Sequence, residues 1–169
     1  FGDGVLDITL SGAGELDSIS IEKVERTANA KPAWWTIGDS TVQQNGSWAY
    51  TLNNTLSTYT KLNNTISAFY NSGQAGRQHK SYYSEGLLNN VLCGIKPGDV
   101  VSISGMGTND TTSSKEQFKA YNNVYIDAAK DMGAYVILGS YTPTGNYGAT
   151  QGKVYDSDNV LFKGIRTNA

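Results

Sequence analysis

Four short apolar runs recur along the chain, and the stretches between them carry apolar residues at helical spacing. Ala33-Trp34-Trp35 leads into Thr36 to Thr41, Thr-Ile-Gly-Asp-Ser-Thr. Ile66 to Tyr70 leads into Asn71-Ser72-Gly73-Gln74-Ala75-Gly76-Arg77, and Val100 to Ser104 leads into Gly105 to Asp110. Ala134 to Ser140 is the fourth run. Such runs, bounded by small and Gly-rich polar residues, predict buried strands that end in turns. Between them, Trp48 to Tyr59 carries Leu52, Leu56 and Tyr59, and His79 to Val91 leads to Leu87, Leu88, Val91 and Leu92 on one face. Lys115 to Met132 carries Phe118, Tyr121, Tyr125, Ala128 and Met132, and Gly133 follows as a stop. Strands alternating with helices predict an α/β fold, a doubly wound parallel sheet with helices on both faces. In that arrangement the three Gly-rich strand ends share one rim, where open α/β sheets bind their ligands.

The two ends of the chain read differently. Residues 5–10 and 19–24 alternate apolar and polar around a Ser11-Gly12-Ala13-Gly14 turn, the pattern of half-buried antiparallel strands. Two strands alone are marginally stable, so residues 1–27 are expected to be the C-terminal strands of a β-sandwich of carbohydrate-binding type. Residues 28–33 read as a linker, and 34–169 as the α/β domain. Beyond Tyr141 the periodicity fades through Pro143 and four glycines with no fifth strand, so this domain is expected to be truncated at its C-terminal end.

Composition narrows the partners. Charged residues make up 17%, below the roughly 25% usual for soluble proteins, and 15 Asn and 11 Tyr take up the difference. A net charge of −2 without a Lys/Arg cluster argues against nucleic acid and anionic membranes, and no stretch nears the roughly 18 apolar residues of a membrane span. A neutral polar partner such as a glycan fits better. Cys93 is the single cysteine, and its Leu92-Cys93-Gly94-Ile95 setting predicts a buried, inert thiol. Neither a metal nor a cofactor is expected: no Cys/His cluster exists, Asp156, Asp158 and Asn159 are too few for an EF-hand loop, and Gly73 and Gly76 supply two of the three glycines of a dinucleotide fingerprint.

The rim carries the candidate chemistry. An acyl-transfer site needs a nucleophile, a base and donors aimed at the developing oxyanion. Ser40 offers a hydroxyl at a helix start, Gly76 a backbone N–H that no side chain blocks, and Asn109 a neutral amide. The competing reading is structural: Asp39-Ser40 and Asn109-Asp110 cap helices, while Gly73 and Gly76 shape a turn.

Gly38-Asp39-Ser40, Asn71 with Gly76, and Gly107-Thr108-Asn109-Asp110 resemble the first three blocks of the SGNH (GDSL) hydrolases. Ile37 to Val42, with Ala75-Gly76-Arg77 in the second block, resembles the rhamnogalacturonan acetylesterase-like branch, and the match spans roughly residues 34 to 140. The resemblance implies a flavodoxin-like sheet and a secreted, extracellular serine esterase that removes acetyl groups from a plant cell-wall polysaccharide such as pectin or xylan. It makes Ser40 the nucleophile, and the N–H groups of Ser40 and Gly76 with the Asn109 amide the oxyanion hole. Asp39 would brace the nucleophile turn. The chain departs from the family in one respect: the late Asp-x-x-His block that supplies acid and base is absent, and His79, the one histidine, has the wrong neighbours. His79 is therefore expected to be a surface or capping residue, Arg77 to form a salt bridge, and the catalytic Asp and His to come from a missing C-terminal segment or a companion chain. The alternatives are a non-catalytic glycan-binding or structural fragment, and an SGNH lipase or acyltransferase.

Overall fold

The computed structural model describes residues 27–106, 109, 110 and 113–139, together with residues 11, 12, 14 and 18. The two expected N-terminal strands and the stretch beyond Tyr141 lie outside the described residues.

The four apolar runs form one sheet. Its strands are β1 (Ala33–Gly38), β2 (Ala68–Gly73), β3 (Val100–Ile103) and β4 (Tyr135–Leu138), all parallel, in the order β2-β1-β3-β4. The register sets Trp35, Tyr70, Val101 and Val136 in one row and Trp34, Phe69, Val100 and Tyr135 in the next, so the two rows face opposite sides. Between β1 and β2 lie α1 (Ser40–Gln43), α2 (Trp48–Thr55) and α3 (Thr60–Thr65). They bring Val42, Ala49, Leu52 and Leu62 onto the Trp34–Phe69 side. The other side is covered by α4 (His79–Ser84), α5 (Leu87–Gly94) and α6 (Lys115–Asp131), which pack Tyr82, Val91, Tyr125 and Ala129 against Ile37, Val101 and Ile103. This is the expected α/β architecture with helices on both faces.

A buried carboxylate fastens the foot of the sheet. Asp99 Oδ1 accepts from Ala33 N at 2.8 Å, and its Oδ2 accepts from Trp35 Nε1 at 3.1 Å and Lys96 N at 3.0 Å. Ala33 is thereby part of β1 and buried, so the linker expected over 28–33 ends one residue sooner.

Local details differ from the periodicity. The helix expected over Trp48 to Tyr59 ends at Thr55, where the weak helix formers Asn53-Asn54-Thr55 give way to a 3-10 turn at Leu56–Thr58 and a separate α3. Tyr59 is exposed rather than part of an apolar stripe. The helix expected over His79 to Val91 is broken at Gly86, whose φ of +74° favours glycine. On α6 the fully buried face is Phe118, Asn122, Tyr125 and Ala129, with Ala128 and Met132 at its margin. Cys93 is exposed, not buried: with Leu88, Val91 and Leu92 turned inward, its position falls on the outer side of α5.

Candidate active site

The C-terminal ends of β1, β2 and β3 are tied to one another beyond the sheet ladder. Gly38 O accepts from Gln74 N at 2.8 Å, and Ile37 O accepts from Ser104 N at 2.9 Å. A Cβ on Gly38 would collide with the Ser104 carbonyl oxygen and the Val42 side chain. Glycine at this position therefore lets the third-strand loop pass directly over the end of β1.

Asp39 and Ser40 follow at once. Asp39 is the N-cap of α1: its Oδ1 accepts from Thr41 N at 2.8 Å and from Thr41 Oγ1 at 2.7 Å. The carboxylate is fully buried, and desolvation holds it above its usual range, opposed by the Thr41 hydrogen bonds and reinforced by the negative charge of Asp110. Asp39 thus caps the helix, as the structural reading of Asp39-Ser40 expects. Ser40 is the first residue of α1 and half-buried. Its N–H and its hydroxyl have no hydrogen-bond partner among the described residues.

After β2, Asn71 is a strand residue whose side chain works locally. Its Nδ2 donates to Val42 O at 2.9 Å and its Oδ1 accepts from Gly73 N at 3.0 Å, joining the end of β2 to α1. Gln43 Oε1 accepts from Ala75 N at 2.7 Å. The chain then turns at Gly76, φ +73°, where open space surrounds the position of a Cβ and the N–H is likewise unpartnered among the described residues. Arg77 pairs with Glu85 at 2.8 Å, the structural salt bridge expected of it.

Asn109 joins the three ends. Its Nδ2 donates to Asp39 Oδ2 at 3.0 Å and to Arg77 O at 3.1 Å, so the amide lies against the residue before Ser40 and the residue after Gly76. Both amide protons are engaged in this way. An oxyanion would take one of them in exchange for a present partner, while the Ser40 and Gly76 N–H groups are open.

His79 is not a surface residue. Its side chain is 2% exposed, its ring stacks on Tyr125 and meets Phe118 edge-on, and its Nδ1 lies 2.7 Å from Asp110 Oδ2. A carboxylate only accepts, so the proton sits on Nδ1. Nε2 is enclosed without a partner among the described residues. The pair has the form of an acid–base dyad, yet its free nitrogen is sealed beneath α6. Asp110 also caps α4 from a distance by accepting from His79 N at 3.1 Å, while α6 takes its N-cap from Ser114. The sequence reading missed this pairing. Its one signal was a lone histidine after the second rim turn and an aspartate closing the third.

No group of three metal-binding side chains occurs among the described residues. No protein-family model matches the chain, and no curated protein does. Among solved structures, it is similar to protein YxiM from Bacillus subtilis with a TM-score of 0.62 and 24% identity. The likeness covers 82% of this chain and 40% of YxiM, so the chain spans well under half the length of that relative. It is a likeness of fold.

Proposed function

We propose that this rim is the acyl-transfer site of an SGNH-type serine esterase acting on acetyl groups of a cell-wall polysaccharide. The observation that supports the reading is the Asn109 amide, held at 3.0 Å from Asp39 and 3.1 Å from Arg77 O, because it ties the loop after β3 to the neighbours of Ser40 and Gly76. Ser40 Oγ would attack the acetyl carbonyl as a base takes its proton. The negative oxygen would draw on the open Ser40 and Gly76 N–H groups and on Asn109. Its collapse would break the ester C–O bond, and the sugar hydroxyl would leave with the proton returned by the base. Water would then release acetate from the acyl-serine and restore the Ser40 hydroxyl. The two open N–H groups need no reorganisation when charge develops, whereas Asn109 would exchange one present partner for the oxyanion. The base is not His79 as it stands, since its Nε2 is enclosed in the core. On this reading a base and its acid would be supplied by a further segment or a companion chain, because His79 is the one histidine of the 169 residues.

A polar substrate suits the surroundings. A cavity of about 470 Å³ beside the Asn109 loop is lined by Gln78, Lys80, Ser113, Gln117 and Tyr121, together with the apolar Ala120 and Val124. Gln78 also donates to Asn109 O at 2.8 Å, so one residue of the cavity wall is bonded to the rim loop. The engaged Asn109 protons and the enclosed His79 favour one other reading, a non-catalytic glycan-binding module with the same rim. Acetate release from acetylated pectins and xylans by the full-length protein, compared with its Ser40→Ala variant, separates the two. An esterase releases acetate only with Ser40 present; a binding module retains the glycan and releases none.

A further inference from the structure

Three consecutive residues after β2 grip two consecutive residues after β3. Arg77 O accepts from Asn109 Nδ2 at 3.1 Å, and Gln78 Nε2 donates to Asn109 O at 2.8 Å. His79 donates to Asp110 Oδ2 twice, from Nδ1 at 2.7 Å and from its backbone N at 3.1 Å. The last contact is the buried one, with side-chain exposures of 2% and 1%. His79 is itself fixed from the far side: its ring is 4.7 Å from Phe118 and 5.4 Å from Tyr125, centre to centre, and the Tyr125 hydroxyl donates to His79 O. The contacts form a chain, in which α6 holds His79, His79 holds Asp110, and Asp110 is covalently next to Asn109.

We propose that the buried His79–Asp110 pair is a positioning device that fixes the aim of the Asn109 side-chain amide at the rim; its purpose rests on the esterase reading above. A carboxylate this deeply buried is tolerable only where donors meet it, so Asp110 has one favourable place, set by His79 N, His79 Nδ1 and Ser113 Oγ. The backbone of residue 109 follows, and the amide with it. An oxyanion donor depends on its aim, and a displacement of about 1 Å costs on the order of 10²-fold in rate. His79 thereby acts on catalysis through Asn109 and never touches substrate.

Two variants separate the donor from the packing. His79→Phe keeps a ring between Phe118 and Tyr125 and removes the Nδ1 donor. His79→Asn keeps an N–H near the Nδ1 position and removes most of the ring. In the full-length protein, His79→Phe should shift the Asn109 side-chain amide resonances and lower kcat by about 10²-fold with KM within about twofold. His79→Asn should leave those resonances in place and kcat within about threefold, although it loses more packing. A merely structural histidine gives the reverse order. If His79→Phe does not fold, Asp110→Asn, which keeps an acceptor for His79 N, against Asp110→Ala gives the same contrast. Unmoved Asn109 resonances with unchanged kcat in a folded His79→Phe or Asp110→Ala overturn the proposal, as does an effect confined to KM. The resonances need no turnover: a wild-type protein that hydrolyses no ester defeats the esterase reading, while the Asn109 signals still decide the device.

Discussion

Asn109 and Asp39 are 70 residues apart in the chain and 3.0 Å apart in space, the amide Nδ2 of one donating to the carboxylate Oδ2 of the other. The contact joins the loop after β3 to the turn that presents Ser40. It also explains why Asp39 is held so firmly without being aimed at a substrate: one oxygen caps α1 through Thr41 and the other receives Asn109.

Replacing Asn109 by Ala in the full-length enzyme should lower kcat by about 10²-fold or more, with a smaller change in KM, because an oxyanion donor matters most when negative charge develops. Steady-state kinetics on an acetylated substrate checks this. A rise in KM at constant kcat would make Asn109 a substrate-binding residue instead.

Asp39 should leave a mark on the pH dependence of stability. Burial raises its folded pKa above the unfolded value of 3.8, so its contribution is fully present below that value and is lost as pH rises through the raised one. Wild-type stability minus that of Asp39→Asn, from urea unfolding at a series of pH values, should therefore fall as pH climbs from below 3.8. The variant also sets an amide N–H against Asn109 Nδ2 or Thr41 N, an offset that does not vary with pH. A difference that grew with pH would mean that the folded state favours the ionised carboxylate.

Asp99→Asn should destabilise the α/β unit by about 3 kcal/mol, since an amide cannot accept from both the Ala33 N side and the Trp35 Nε1 and Lys96 N side, leaving buried donors unmet. Denaturant unfolding measures it. A loss under 1 kcal/mol, within the range of an ordinary net hydrogen bond, would show that water replaces the carboxylate at the foot of the sheet.

Much of the architecture was legible in the chain because the relevant signals are local. Val100 to Ile103 is apolar at every position but one, and Gly-rich residues mark where each strand of the rim ends. The rim residues Asp39, Ser40, Gly76 and Asn109 were found for the same reason. Features that depend on distant partners were not legible. The burial of His79 depends on Phe118, Tyr125 and Asp110, which lie more than 30 residues away and reach it only through the packing of α6 and the path of the segment after β3. Asp99 directly follows Pro97-Gly98, and nothing local marks the donors it collects from β1. Cys93 was misjudged from its apolar neighbours, whereas the angular position on α5 decides which of them face the core. The split between α2 and α3 lies in an Asn- and Thr-rich run whose weak propensities permit a helix or a break.

Purified residues 1–169 should not turn over an aryl acetate. A serine hydroxyl is a weak nucleophile without a positioned base, and the one histidine in this sequence has its Nε2 enclosed. Turnover by this segment that His79→Ala abolished would make His79 the base and require α6 to open.

Covalent trapping of the nucleophile tests the central claim most directly. The full-length protein would be treated with a serine-directed fluorophosphonate, and the adduct located by peptide mass spectrometry. One adduct per chain on Ser40, absent from Ser40→Ala and slowed on the order of 10²-fold in Asn109→Ala, is the predicted result. A protein that hydrolyses acetyl esters while Ser40 stays unmodified, or that carries its adduct on another residue, would contradict it.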